Sequence, residues 1–217
     1  MYSNYITGLR LPETAVKDTE GRLPGKVSLE GRVFRNDGSG EVNSMKRIDS
    51  ILKDPVYAEY INHNMSAAKD DLFCKHDLAH SVDVARIAYI LILENQDLDF
   101  FIKDAGLSGK EAAKEVVYAA GLLHDIGKWK EYEEGVDHAA YGARLARDLL
   151  TRAGFDENEI RIITRAIYEH RNISRDMSFL GERLHRADNL SRACSQCVAR
   201  EDCCKYQNKE TGAFLLY

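Results

Sequence analysis

Apolar positions recur along most of the chain at intervals of three and four, with polar residues between them. Ile48, Ile51, Leu52, Val56, Tyr57 and Ile61 predict one or two short helices, interrupted near Pro55. His80, Val84, Ile87, Ile90 and Leu91 keep the same period and predict a helix over 78–95. The same reading predicts helices over 109–124, 138–153, 157–171 and 177–195. Phe100-Phe101-Ile102 reads as part of a short connector. Residues 131–137, preceded by Trp129 and Lys130, read as an acidic loop placed to act as a lid. No stretch alternates with a period of two for long enough to demand a sheet, so the pattern predicts an all-α bundle.

Residues 1–44 break the pattern. Leu11-Pro12, Pro24-Gly25 and Asp37-Gly38-Ser39-Gly40 are turn signals, and Val27, Leu29, Val33 and Phe34 would support no more than a short hairpin. The expected division is an irregular N-terminal arm over 1–44, a helical domain over 45–195 and a Cys-rich C-terminal segment over 196–217. Met45 opens the first helix, and a natural start at this residue is an open alternative to an ordered or mobile arm.

Composition narrows the function. The 217 residues carry a net charge of −5 with both signs interspersed, which disfavours a nucleic-acid polymer as partner. No apolar run reaches the length of a membrane span, and the start lacks the charged and apolar segments of a secretory signal. A cytoplasmic protein is expected. Four of the five cysteines, Cys194, Cys197, Cys203 and Cys204, crowd near the C-terminus instead of spreading as a disulfide framework. Their Cys-x2-Cys-x5-Cys-Cys spacing suits a structural zinc, and reduced thiols or a labile disulfide are the alternatives. Oligomeric state is left open between monomer and homodimer.

The chemistry lies on the apolar stripes. His80 shares a face with Val84, Ile87 and Leu91, and His124 with Val116, Val117 and Ala120. His138 lies under Gly142, Leu145 and Leu149; His170 follows Ile163, Ala166 and Ile167; Asp188 follows Leu180 and Leu184. Asp125 adjoins His124. One such residue is ordinarily a core histidine with a backbone partner. If these faces converge, four imidazoles and two carboxylates satisfy one another best around cations.

At these residues the chain resembles the HD-domain metal-dependent phosphohydrolase superfamily. Its pattern of a His, a His-Asp pair and a later Asp is met by His80, His124-Asp125 and Asp188, over residues 45–195. The flanks agree: His80 stands in His-Ser-Val-Asp-Val-Ala-Arg, the pair is followed by Ile-Gly-Lys, and Asp188 stands in Arg-Ala-Asp-Asn-Leu-Ser-Arg. His138 and His170 match the two histidines that dinuclear members add. The resemblance implies one or two divalent transition metals, with Fe, Mn, Zn, Co and Ni not distinguished. His80, His124, Asp125 and Asp188 would hold the first, and Asp125, His138 and His170 the second. It implies hydrolysis of a small phosphate ester or nucleotide by a metal-activated water, with Asp125 and Lys128 catalytic and Lys128, Arg171 and Arg192 near substrate. Alternatives are a di-iron oxygenase of the same ligand order and a non-catalytic nucleotide-binding regulator. A second His-Asp pair, His76-Asp77, lacks the Ile-Gly-Lys flank and reads as helix capping or site rim.

Overall fold

The computed structural model describes residues 45–69, 75–171, 174–192, 194 and 197–207. The expected arm, its hairpin and the Cys204 side chain lie outside the described residues. The described residues form helices with no strand among them. In chain order these are α1 (Lys46–Lys53), α2 (Pro55–Ala67), α3 (Leu78–Glu94), α4 (Leu98–Ala105), α5 (Lys110–Leu123), α6 (Lys128–Glu134), α7 (His138–Arg152), α8 (Glu157–Glu169), α9 (Phe179–Leu190) and α10 (Cys204–Gln207).

Short polar side chains set the helix starts. Asp54 accepts from Val56 N and begins α2 with Pro55 in the first turn. Asp77 accepts from His80 N and caps the start of α3. Asp137 starts α7, Ser178 starts α9, and Asp156 with Glu159 closes a capping box on α8.

Two segments depart from the sequence reading. Phe100-Phe101-Ile102 belongs to α4, whose eight residues are too few to show a period; Phe101 is buried, and the helix stops at left-handed Gly106. Residues 131–134 belong to α6, which has no buried residue and so no apolar stripe to read; it stops at left-handed Gly135. The predicted 177–195 helix is shorter, ending at Leu190 with Ser191 as its cap.

The helix α5 is the axis of the bundle. It packs on α3 and on α8, while α9 closes against α3 and α8, and α7 against α8. Its Val116, Val117, Ala119, Ala120, Leu122 and Leu123 are buried, so small residues let neighbours approach from several sides. The crossing with α3 is so close that a Cβ on Gly121 would lie 2.4 Å from Ala85 Cα. Just before α6 a Cβ on Gly127 would meet the backbone of α7, 2.8 Å from Gly142 N and 2.9 Å from His138 O. The turn carrying His124 and Asp125 is therefore pressed directly onto the helix that carries His138. No described helix is long and apolar enough to cross a membrane.

Candidate metal centre

The six polar residues from the apolar stripes meet. Ligand atoms of His80, His124, Asp125 and Asp188 lie within 4.8 Å of one another, and so do those of Asp125, His138 and His170. Asp125 belongs to both groups, and its two oxygens divide between them. Oδ2 lies 2.9 Å from His124 Nε2 and 3.6 Å from His80 Nε2. Oδ1 lies 3.2 Å from His138 Nε2 and 3.7 Å from His170 Nε2. Asp188 Oδ1 completes the first group, 3.3 Å from His80 Nε2.

The outer ring nitrogens set the tautomers. His124 Nδ1 donates to Gly121 O at 2.8 Å and His170 Nδ1 to Ile167 O at 2.6 Å, each one turn back on its own helix. His138 Nδ1 donates to the Glu131 carboxylate. Ser191 Oγ donates to Asp188 O, so at 3.2 Å from His80 Nδ1 it accepts from that ring. A neutral imidazole that donates from Nδ1 leaves Nε2 as a bare lone pair. Four such nitrogens converge on two carboxylates, and with all four rings neutral in this tautomer none of the six residues supplies a donor between them. His80 Nε2 and His124 Nε2 are buried with no hydrogen-bond partner, and His138 Nε2 faces His170 Nε2 at 3.4 Å. Acceptors packed against acceptors need cations, and this donor set of imidazole nitrogen and carboxylate oxygen fits divalent transition metals.

Burial alone would push the Asp125 carboxyl up, but the imidazoles around it, His124 and His76 first, hold it well below the ordinary carboxylate range. Burial acts the same way on Asp188 and is outweighed by Arg192 and His80. Burial lowers His80, yet the flanking Asp125 and Asp188 carboxylates raise it to about 9. A proton and a metal compete for that nitrogen, so metal occupancy rises with pH.

Further residues hold this centre in place. Asn64 of α2 is buried; its Nδ2 donates to Asp125 O at 2.8 Å and its Oδ1 accepts from Trp129 N at 2.8 Å. It clamps both sides of the turn between α5 and α6. His76 lies deeper than a rim residue, at 9 % exposure, and its Nδ1 donates to Asp125 Oδ2 at 2.7 Å. It presents a proton where the other rings present a lone pair, so it supports the carboxylate and is not a ligand. Burial lowers its basicity, beyond what Asp125 restores.

Glu131 does the same for the second group, joining His138 to two cations. It accepts from Lys128 Nζ at 3.0 Å and from Arg171 at 3.0 Å, while Arg171 also reaches Asp137 at 3.2 Å. Lys128 and Arg171, expected near substrate, thus stand behind His138 with their charge shared by carboxylates. Arg192, also expected there, donates to Asp188 Oδ1 at 2.6 Å. Among the described residues, Cys194, Cys197 and Cys203 are free thiols and no three-ligand group includes them; the fourth cysteine of the expected zinc site, Cys204, has its side chain outside the described residues. Removing the Glu131 charge should loosen His138 selectively. For Glu131→Gln, titration with Mn2+ is expected to show one affinity unchanged and the other weaker by about 10–100-fold. Two unchanged affinities would separate Glu131 from the centre.

The HD domain family model matches residues 77–193, which contains every one of the six residues. The chain belongs to the HD-domain family. An uncharacterized protein of Clostridium beijerinckii is 36% identical over 159 residues, covering 73% of this chain and 92% of that one. Ribonuclease Y of Lactobacillus gasseri is 30% identical over 116 residues, 54% of this chain but 17% of that enzyme. The bifunctional uridylyltransferase/uridylyl-removing enzyme of Erythrobacter litoralis is 36% identical over 61 residues, 6% of its length. The chain therefore spans only a small part of these two enzymes. No solved structure matches it.

Proposed function

We propose that this HD domain is a dinuclear metal-dependent phosphohydrolase acting on a small phosphate ester or nucleotide. The observation that carries the reading is the Asp125 carboxylate, whose two oxygens each face a separate set of imidazole lone pairs. His80, His124, Asp125 and Asp188 would hold one cation, and Asp125, His138 and His170 the other. Cations bound there supply a water acidified toward neutral pH and neutralise charge on the phosphoryl oxygens.

The protein's own part is to keep this donor set rigid and correctly protonated. The Nδ1 bonds to Gly121 O, Ile167 O, Glu131 and Ser191 fix four ring orientations, so no reorganisation is needed when charge develops. His76 carries a proton beside Asp125 and holds one of its oxygens in place. Lys128 and Arg171 balance Glu131, which keeps the His138 tautomer. The similarity to proteins named Ribonuclease Y and bifunctional uridylyltransferase/uridylyl-removing enzyme supports the reaction class and leaves the substrate open.

The test is turnover of an aryl phosphate and a panel of phosphorylated metabolites, with Mn2+, Fe2+ and Ni2+ supplied separately. Metal-dependent release of phosphate is expected. Oxygen consumption by the iron form without phosphate release would favour the di-iron oxygenase instead. Nucleotide binding with no turnover under any metal would favour a regulator.

A further inference from the structure

A cavity of about 330 Å³ lies where α4, α8 and the start of α9 meet. It stands apart from the metal centre, and none of the six ligand residues lines it. Part of its lining is apolar. Phe101 and Leu180 are buried there, while Ile162 and Phe179 are only half-buried and leave apolar surface open to the cavity. The Phe101 and Phe179 rings stack with centroids 5.3 Å apart and 25° between their planes. Such a surface suits the organic part of a small molecule.

The rest of the lining is charged or polar, and its members differ in how far they are satisfied. Arg165 donates from Nε to Glu169 Oε1 at 2.8 Å and from Nη2 to Asp176 O at 3.1 Å. The same Glu169 accepts from Ser178 N at 2.8 Å and from Ser178 Oγ at 2.5 Å. This wall is closed on itself, and the Arg165 charge is cancelled. Arg161 instead donates from Nη2 to Asn158 Oδ1 at 2.5 Å, a neutral acceptor, and has no carboxylate partner among the described residues. Asp104 has no side-chain hydrogen bond and no ion pair among the described residues. A cation and an anion thus line one cavity without pairing. Asn158 sets the two helices that carry them: its Nδ2 donates to Ala105 O at 2.9 Å, tying the start of α8 to the end of α4 beside Asp104.

We propose that this cavity binds a free apolar α-amino acid, with its carboxylate on Arg161, its ammonium on Asp104 and its side chain against Ile162 and Phe179. A zwitterion answers both charges at once. A simple anion would bring its charge beside Asp104, and a simple cation would bring its charge beside Arg161. The volume lies near the lower end of small-molecule pockets, roughly 300–1,000 Å³, which suits one amino acid and not a peptide. The assignment is independent of the reaction at the metal centre.

L-Phenylalanine serves as the probe, and its binding to the intact chain is read by isothermal titration calorimetry. Saturable binding is expected. 3-Phenylpropionate, which lacks the ammonium, and phenethylamine, which lacks the carboxylate, are each expected to bind at least about tenfold more weakly. Asp104→Asn is expected to weaken L-phenylalanine about tenfold and to leave 3-phenylpropionate no weaker. Arg161→Gln is expected to weaken L-phenylalanine about tenfold and to leave phenethylamine no weaker. Both side chains are exposed, so both variants should fold, which far-UV circular dichroism checks. Asp125→Ala is expected to bind L-phenylalanine within about twofold of the parent, which separates this cavity from chelation at the metal centre. No saturable binding, 3-phenylpropionate as tight as L-phenylalanine, or parent-like binding by both cavity variants would overturn the site. Loss of binding in Asp125→Ala would assign the ligand to the metal centre and overturn it as well.

Discussion

Asp125→Ala is expected to abolish phosphate release from an aryl phosphate, by at least about 10³-fold in kcat, while far-UV circular dichroism stays unchanged. The size follows from the position of the carboxylate. Its two oxygens are divided between the two ligand groups, so one substitution strips a donor from each. The helices should survive, because the turn is held through its backbone by Asn64 and its surroundings are built from α5 core residues that the change does not touch. Metal content should fall together with turnover. Turnover within about tenfold of the parent would remove Asp125 from the mechanism.

Gly121→Ala is expected to be the most damaging small change in the bundle. The added methyl would overlap Ala85, at 2.4 Å from its Cα and 2.6 Å from its N, and backbone atoms cannot turn aside as a flexible side chain can. The helices α3 and α5 must then separate, at a cost of about 3 kcal/mol. For a chain of this length that corresponds to a melting temperature lower by about 6–12 °C, measured on chelator-treated protein so that metal does not mask the change. The separation also moves His80 on α3 away from His124, so metal affinity should fall along with stability. A melting temperature within about 2 °C of the parent would show that the crossing relaxes without strain.

The parts of this structure legible in the sequence are those that depend on periodicity. A buried polar residue on an apolar stripe is visible in one dimension, and His80, His124, His138, His170 and Asp188 stand out that way. Their helices also follow, because each is long enough to show a stripe, and four of the five are started by an Asp or Ser cap, α5 beginning at Gly109 without one. What escaped is short or supported from a distance. The helix α4 has eight residues, and α6 has seven with no buried face. Glu131 looked like one more acid in an acidic loop, because its partner His138 is seven residues away across a helix boundary. Asn64 reaches the Asp125 and Trp129 backbones from more than sixty residues upstream, and no local pattern marks that contact. His76 carried a signal in its four-residue spacing from His80. Its opposite tautomer, which separates a supporting ring from a ligand, exists only once Asp125 is beside it.

In the proposed centre one carboxylate joins two sets of ring nitrogens around two cations. Inductively coupled plasma mass spectrometry of the unmodified chain, purified without added metal and then equilibrated with Mn2+ and desalted, counts those cations directly. About two ions per chain are expected from the two ligand groups. A stoichiometry of one or none, with the protein folded, would contradict the claim.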